Sequence, residues 1–353
     1  MSRPAISIHK SGGWTFGSPS VLMMFHRTPG GLESELSEMD ECMPHYYKVT
    51  QGHGLGAETI MRAEAAFMQA RFTDAQIALE SAYAQIDGNG QENMALCCDF
   101  LAYRLSLFSD VSPRDAAAER YKALLSRRDT AWIHLWNAIN AYYYAVLGQA
   151  GKIPPVFSSH RLGTVNFLAP GKPMMEMIEN QAYLAQGAYA AVIGRSERLL
   201  AMCDAMHYAL PALHIRIQTA AAFEMLGKRE EAHALLSHAF SDAEPDGFII
   251  PFAENYRYLK PLLGGIHEIA ELGTMLERRR ARDDYPMAFS SLTPREREIA
   301  SLISQRLSNR EIAERLYLSE GSVKQYLNQL YAKLSIEGDT RTKRRRLSEL
   351  AES

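Results

Sequence analysis

The chain has 353 residues, 47% of them hydrophobic and 22% charged, with a formal net charge of -3. That is enough apolar material for about two packed domains under an ordinary soluble surface. No apolar run approaches the roughly 20 residues of a membrane span, no export signal opens the chain, and four cysteines (Cys42, Cys97, Cys98 and Cys203) have neither disulfide-framework density nor metal-ligand spacing, which excludes the membrane and secreted classes and predicts a cytoplasmic protein with no cofactor.

The charge is uneven. Residues 290–353 hold 12 Lys and Arg against 9 Asp and Glu, a local +3 that leaves -6 for the rest, so any nucleic-acid contact is expected at the C-terminal end. At the other end, residues 1–56 include "SGGWTFGSPSVLMMF", which has the Gly and Ser of a phosphate loop without its order. G-x-x-x-x-G-K-[ST] occurs nowhere, and nucleotide hydrolysis loses its main support. This segment is expected to be the remnant of a larger architecture.

From residue 57 to 282 the sequence reads as helix after helix, in stretches such as "AETIMRAEAAFMQA", "TAWIHLWNAINAYYYAVL" and "LHIRIQTAAAFEML". Small residues end successive apolar stretches at Ala70, Ser109, Gly148, Gly187 and Gly227, in steps of 39, 39, 39 and 40. Ala75 and Ala232 follow two of them by five residues, as tight antiparallel hairpins require. The pattern is similar to tetratricopeptide-type repeats, stretched beyond their usual period of about 34 residues. It predicts an all-α hairpin solenoid whose concave face holds an effector or a protein partner. Gly151 to Lys172 interrupts the pattern and reads as a loop, while "YYYAVL" and "MMEMIEN" read as packing. A helix through "GIHEIAELGTMLERRRAR" follows, then a linker at 283–291 with Pro286 and a Ser pair, and a last domain at 292–353.

The last domain announces its helices by their caps. Thr293, Pro294 and Glu296 open one, and Ser308 and Glu311 a second, each as a capping box. A third starts at Ser319, and Asp339 or Thr340 caps a fourth, "TRTKRRRLSELAE". Ile299, Leu302, Ile303, Ile312, Leu316, Leu318, Val323, Leu327 and Leu330 are the expected core. At about 100° per residue, Val323, Leu327, Leu330 and Leu334 of the third helix share one narrow band, and Lys324, Gln325 and Asn328 lie well away from it. A short helix, a brief turn and a second helix with a polar outer face make a helix-turn-helix, whose second helix enters the major groove.

"LTPREREIASLISQRLSNREIAERLYLSEGSVKQYLNQLYAKL" closely resembles the LuxR-type DNA-binding domain. The resemblance implies a four-helix fold that binds double-stranded DNA as a homodimer, with RNA polymerase as a further partner. Lys324, Gln325 and Asn328 are then the base-reading side chains, since Lys donates to guanine O6 and N7 and the amides both donate and accept against adenine. Arg310, Ser319, Ser322, Tyr326 and Lys333 are placed for phosphates, and Arg341, Lys343, Arg344, Arg345 and Arg346 add a basic cluster. Leu347 and Leu350 are the candidate dimer contacts. Upstream, "PDGFIIPFAENYRYLKPLL" and the hairpins are similar to the sensor region of large ATP-dependent LuxR-type regulators related to the maltose-regulon activator, whose ATPase module has no counterpart in these residues. The expected function is sequence-specific transcription regulation without catalysis. A helical scaffold with a vestigial DNA-binding domain is the alternative.

Overall fold

The computed structural model describes residues 18–50, 52–86, 91–109, 115–127, 130–165, 169–283, 292–305, 307–334, 336 and 338–352. The described residues contain helices and no strand, so the fold is all-α, and none of their helices is long and apolar enough to cross a membrane. The chain divides into two compact units, Met1–Glu277 and Arg278–Ser353. The division falls within a helix, His267–Asp283. Of the 283–291 linker, residues 284–291 lie outside the described residues.

After a one-turn helix at Leu22–Phe25, the larger unit runs through α1 (Leu32–Thr50), α2 (Ala57–Met68), α3 (Phe72–Ile86), α4 (Glu92–Phe108), α5 (Asp115–Arg127) and α6 (Thr130–Leu147). It continues with α7 (Lys172–Ala185), α8 (Tyr189–Met206), α9 (Ala209–Met225), α10 (Arg229–Ala243), α11 (Tyr256–Leu263) and α12 (His267–Asp283). The evenly spaced small residues mark the ends of α2, α4, α6, α7 and α9. Ala70, Gly148, Gly187 and Gly227 have φ between 55° and 76°, the left-handed conformation that reverses a chain after a helix. Ser109 is extended instead, with φ -136°. Those five helices form an inner layer in which each packs on the next, α2 on α4, α4 on α6, α6 on α7 and α7 on α9. α2, α7 and α9 each pack against an outer partner, α3, α8 and α10, while α5 packs on α6 and is tied to α4 by the Arg120–Asp99 ion pair at 2.9 Å; Ala75 and Ala232 are fully buried at the start of α3 and α10. After α6 the outer helix is replaced by the one-turn helix Pro155–Ser158, which opens on the pair Pro154 and Pro155 and ends before the left-handed His160. The Gly151–Lys172 segment is thus not an open loop. It packs inward through Ile153, Phe157 and Leu162 and stacks His160 on Tyr183 with ring centroids 3.6 Å apart.

The inner layer encloses parts of its own chain, which corrects the expectation of a free concave face. Leu22 donates its backbone N–H to Glu64 of α2 at 2.6 Å, Cys97 of α4 meets the Ser18 carbonyl at 3.6 Å, and Ser18 Oγ meets Met174 Sδ of α7 at 2.5 Å. The second enclosed segment is Ile249–Asn255. Arg104 of α4 bonds Glu254 through two nitrogens at 2.9 Å each, Tyr142 of α6 donates to Glu254 at 2.6 Å, and Gln181 of α7 donates to Asn255 at 3.1 Å. Val21, Leu22, Met39 and Met43 join the same core as the repeats. The described part of the 1–56 segment is therefore integral to the large unit rather than a separate piece.

Candidate nucleic-acid interface

The smaller unit comprises α13 (Pro294–Ser304), α14 (Asn309–Leu316), α15 (Glu320–Lys333) and α16 (Thr340–Glu352). Its helix starts form as their sequences dictate. Thr293 Oγ1 accepts from Glu296 N at 3.3 Å while the Glu296 carboxylate accepts from Thr293 N at 2.7 Å. Ser308 and Glu311 repeat the exchange at 3.3 and 2.6 Å. Ser319 Oγ accepts from Ser322 N at 3.0 Å, and Asp339 caps α16 by accepting from Thr342 N at 2.7 Å. Each of these bonds satisfies an amide that the helix leaves without an internal acceptor.

Ile299, Leu302, Ile303, Ile312, Leu316, Val323, Leu327 and Leu330 are buried together, with Leu318 half-buried against them. Leu292, Tyr331, Ile336 and Leu347 complete the cluster. With its apolar edge held there, α15 turns Gly321, Lys324, Gln325, Asn328 and Ala332 outward on one face, all exposed. These five fall within an arc of about 100° on the helical wheel. The polar groups on it carry both donors and acceptors and lie on a rigid helix beside the short turn from α14, the arrangement of a reading helix.

The residues assigned to phosphates divide. Ser319 and Arg310 are exposed, the latter in an ion pair with Glu314 at 3.0 Å, which solvent weakens enough for an anion to compete. Ser322 and Tyr326 are half-buried, Tyr326 packing against the core. Arg341, Arg345 and Arg346 are exposed on α16, and Lys343 stands over the Tyr331 ring at 5.7 Å.

Three assignments need correction. Lys333 pairs at 2.8 Å with Glu296, whose carboxylate is 3% exposed, so it ties the last turn of α15 to the first turn of α13. Burial works to raise the Glu296 carboxyl, but the Lys333 ammonium and the Thr293 amide outweigh it and hold it below the usual range. Arg344 bonds Asn309 Oδ1 at 2.7 Å and also the Leu307 carbonyl, so its guanidinium anchors α16 to the segment that starts α14. Leu347 is fully buried in the domain's own core and offers no surface to a second copy. The Leu350 side chain lies outside the described residues. Tyr317, in the turn before α15 and not among the assigned residues, is 97% exposed with a left-handed backbone.

Residues 290–343 match the family of bacterial regulatory proteins of the luxR type. A 67-residue stretch is 40% identical to the HTH-type transcriptional regulator Rv0890c of Mycobacterium tuberculosis, covering 19% of this chain and 7% of that protein. The DNA-binding transcriptional activator DevR/DosR of the same organism is 45% identical over 51 residues, 14% of this chain and 24% of its own length. The transcriptional regulatory protein LnrK of Bacillus subtilis is 38% identical over 55 residues, 16% and 25%. No solved structure matches the chain. The similarity thus falls on the same small unit that the caps, the core and the outward face of α15 define: the C-terminal domain is a helix-turn-helix domain of the LuxR family.

Proposed function

We propose that this protein is a sequence-specific, DNA-binding transcription regulator that acts by binding rather than catalysis. Its α15 reads base edges through Lys324, Gln325 and Asn328. The observation that carries the reading is the opposition of the two faces of α15, one sealed into a LuxR-family core and the other exposed, with the donors and acceptors of Lys324, Gln325 and Asn328 flanked by the small residues Gly321 and Ala332. Ser319, Arg310, Arg341, Arg345 and Arg346 set register on the backbone, and the active form is a homodimer on double-stranded DNA that cooperates with RNA polymerase in the cytoplasm.

The helical repeats regulate that binding in response to an effector or protein partner. Because the inner layer already encloses residues 18–26 and 249–255, such a partner meets the outer helices α3, α5, α8 and α10, or displaces an enclosed segment. Selection of duplexes from a randomised pool tests the DNA reading. The double variant Lys324→Ala/Asn328→Ala is expected to lose preference for the selected duplex over a shuffled one, with its helical circular dichroism unchanged. An unaltered preference would overturn the assignment, and a chain that selects no duplex while retaining one protein partner would favour the scaffold alternative.

A further inference from the structure

The connection between α14 and α15 is three residues, Tyr317 to Ser319, and it reverses at Tyr317 with φ 54° and ψ 44°. A Cβ strains this region, and the hairpin turns after α6, α7 and α9 accordingly use glycine there. Tyr317 adds a second liability, because its large ring is 97% exposed, more than any other large apolar side chain recorded as exposed among the described residues. Strain and solvent-exposed apolar surface in the free protein gain a rationale if the ring is covered in a complex.

The position of the turn says what covers it. Tyr317 precedes Ser319, the N-cap of α15, by two residues, a span of at most about 7 Å. The major groove is roughly 8.5 Å deep. With the N-terminal half of α15 at the groove floor, Tyr317 stands at the rim, where the sugar–phosphate backbone runs. The nearby Glu314 carboxylate is paired with Arg310 at 3.0 Å, so it opposes a phosphate less than a lone carboxylate would. A phenol there lays its ring on a deoxyribose and donates its O–H to a phosphate oxygen.

We propose that Tyr317 is a backbone-contacting residue of the DNA complex, adding affinity without sequence preference. The proposal rests on the reading of α15 as the base-reading helix. Its test uses the full chain, the duplex selected from a random pool and a shuffled duplex. Tyr317→Gly removes the ring and relieves the strain; Tyr317→Phe keeps the ring and removes the donor. Tyr317→Gly is expected to weaken both duplexes equally, by roughly two- to tenfold for one lost contact. The dependence of affinity on salt should keep its slope, since no cation is lost, and the thermal midpoint should not fall. Tyr317→Phe should retain part of the affinity. Unchanged binding of both duplexes by Tyr317→Gly, a loss confined to the selected duplex, or a lowered thermal midpoint would overturn the proposal. Failure of the underlying reading looks different: Lys324→Ala/Asn328→Ala would leave the ratio between the two duplexes untouched.

Discussion

The pair formed by Arg104 and Glu254 gives the fold a sharp test. The Arg104 side chain is 5% exposed and that of Glu254 0%, and the carboxylate accepts two bonds from the guanidinium and a third from Tyr142. The guanidinium also lies 4.9 to 5.5 Å from the ring centroids of Phe67, Phe100 and Tyr142. Two charges taken wholly out of water carry a desolvation cost that their attraction roughly offsets, so the intact pair contributes little net stability while either half alone is expensive. Glu254→Leu should therefore cost about 3–5 kcal/mol by stranding the guanidinium, and Arg104→Met a similar amount by stranding the carboxylate. Combining both with Tyr142→Phe leaves no orphaned partner and should cost less than either single change, a coupling that far exceeds additivity. Urea unfolding followed by far-ultraviolet circular dichroism and by tryptophan fluorescence reads the three free energies, since Trp132 and Trp136 lie in the large unit and residues 278–353 contain no tryptophan. Single variants within about 1 kcal/mol of wild type, or a triple variant as costly as the sum, would refute the view that Glu254 is held inside the repeats by charge.

Glu64 should make the large unit pH-sensitive. Burial pushes its carboxyl up to about 7 from 4.5, partly opposed by the Leu22 amide. The fold thus favours the protonated form. Stability from this group is fully present below pH 4.5, declines as pH rises to 7 and is lost above it, by roughly 3 kcal/mol. Glu64→Gln should flatten that decline between pH 4.5 and 7 in thermal melts; an unaltered slope would mean that Glu64 stays ionised. Lys333→Met should lower the unfolding free energy of the C-terminal domain by roughly 1 kcal/mol, by leaving buried Glu296 without its ammonium. It should leave the salt dependence of DNA binding unchanged, because no phosphate contact is lost, whereas a slope reduced by about one unit would return Lys333 to the backbone.

Local signals were legible and long-range ones were not, and the residues show why. A capping box is a bond between positions three apart, so Thr293–Glu296 and Ser308–Glu311 can be read from the letters alone. The 39-residue steps were legible for a similar reason, because four of the five positions, all but Ser109, are chain reversals in a left-handed conformation that few residue types favour. Arg104 and Glu254 stand 150 positions apart, and nothing in "PDGFIIPFAENY" tells that it fills the inside of the repeats rather than covering their end. The same limit produced the errors at Lys333 and Arg344. Basic residues near a reading helix suggest phosphates, yet the carboxylate 37 positions before Lys333 and the carbonyl 37 before Arg344 claim them first. Leu347 followed from family habit, but a four-helix domain of this size needs a large apolar side chain from α16 to close its core, and Leu347 supplies it. Lys324, Gln325 and Asn328 are placed differently, because α15 has carboxylates only at its first residue and, through Lys333, at its last turn. Between those ends the outward face lacks an acidic neighbour on its own helix to neutralise it, which is what a surface meant for a polyanion requires.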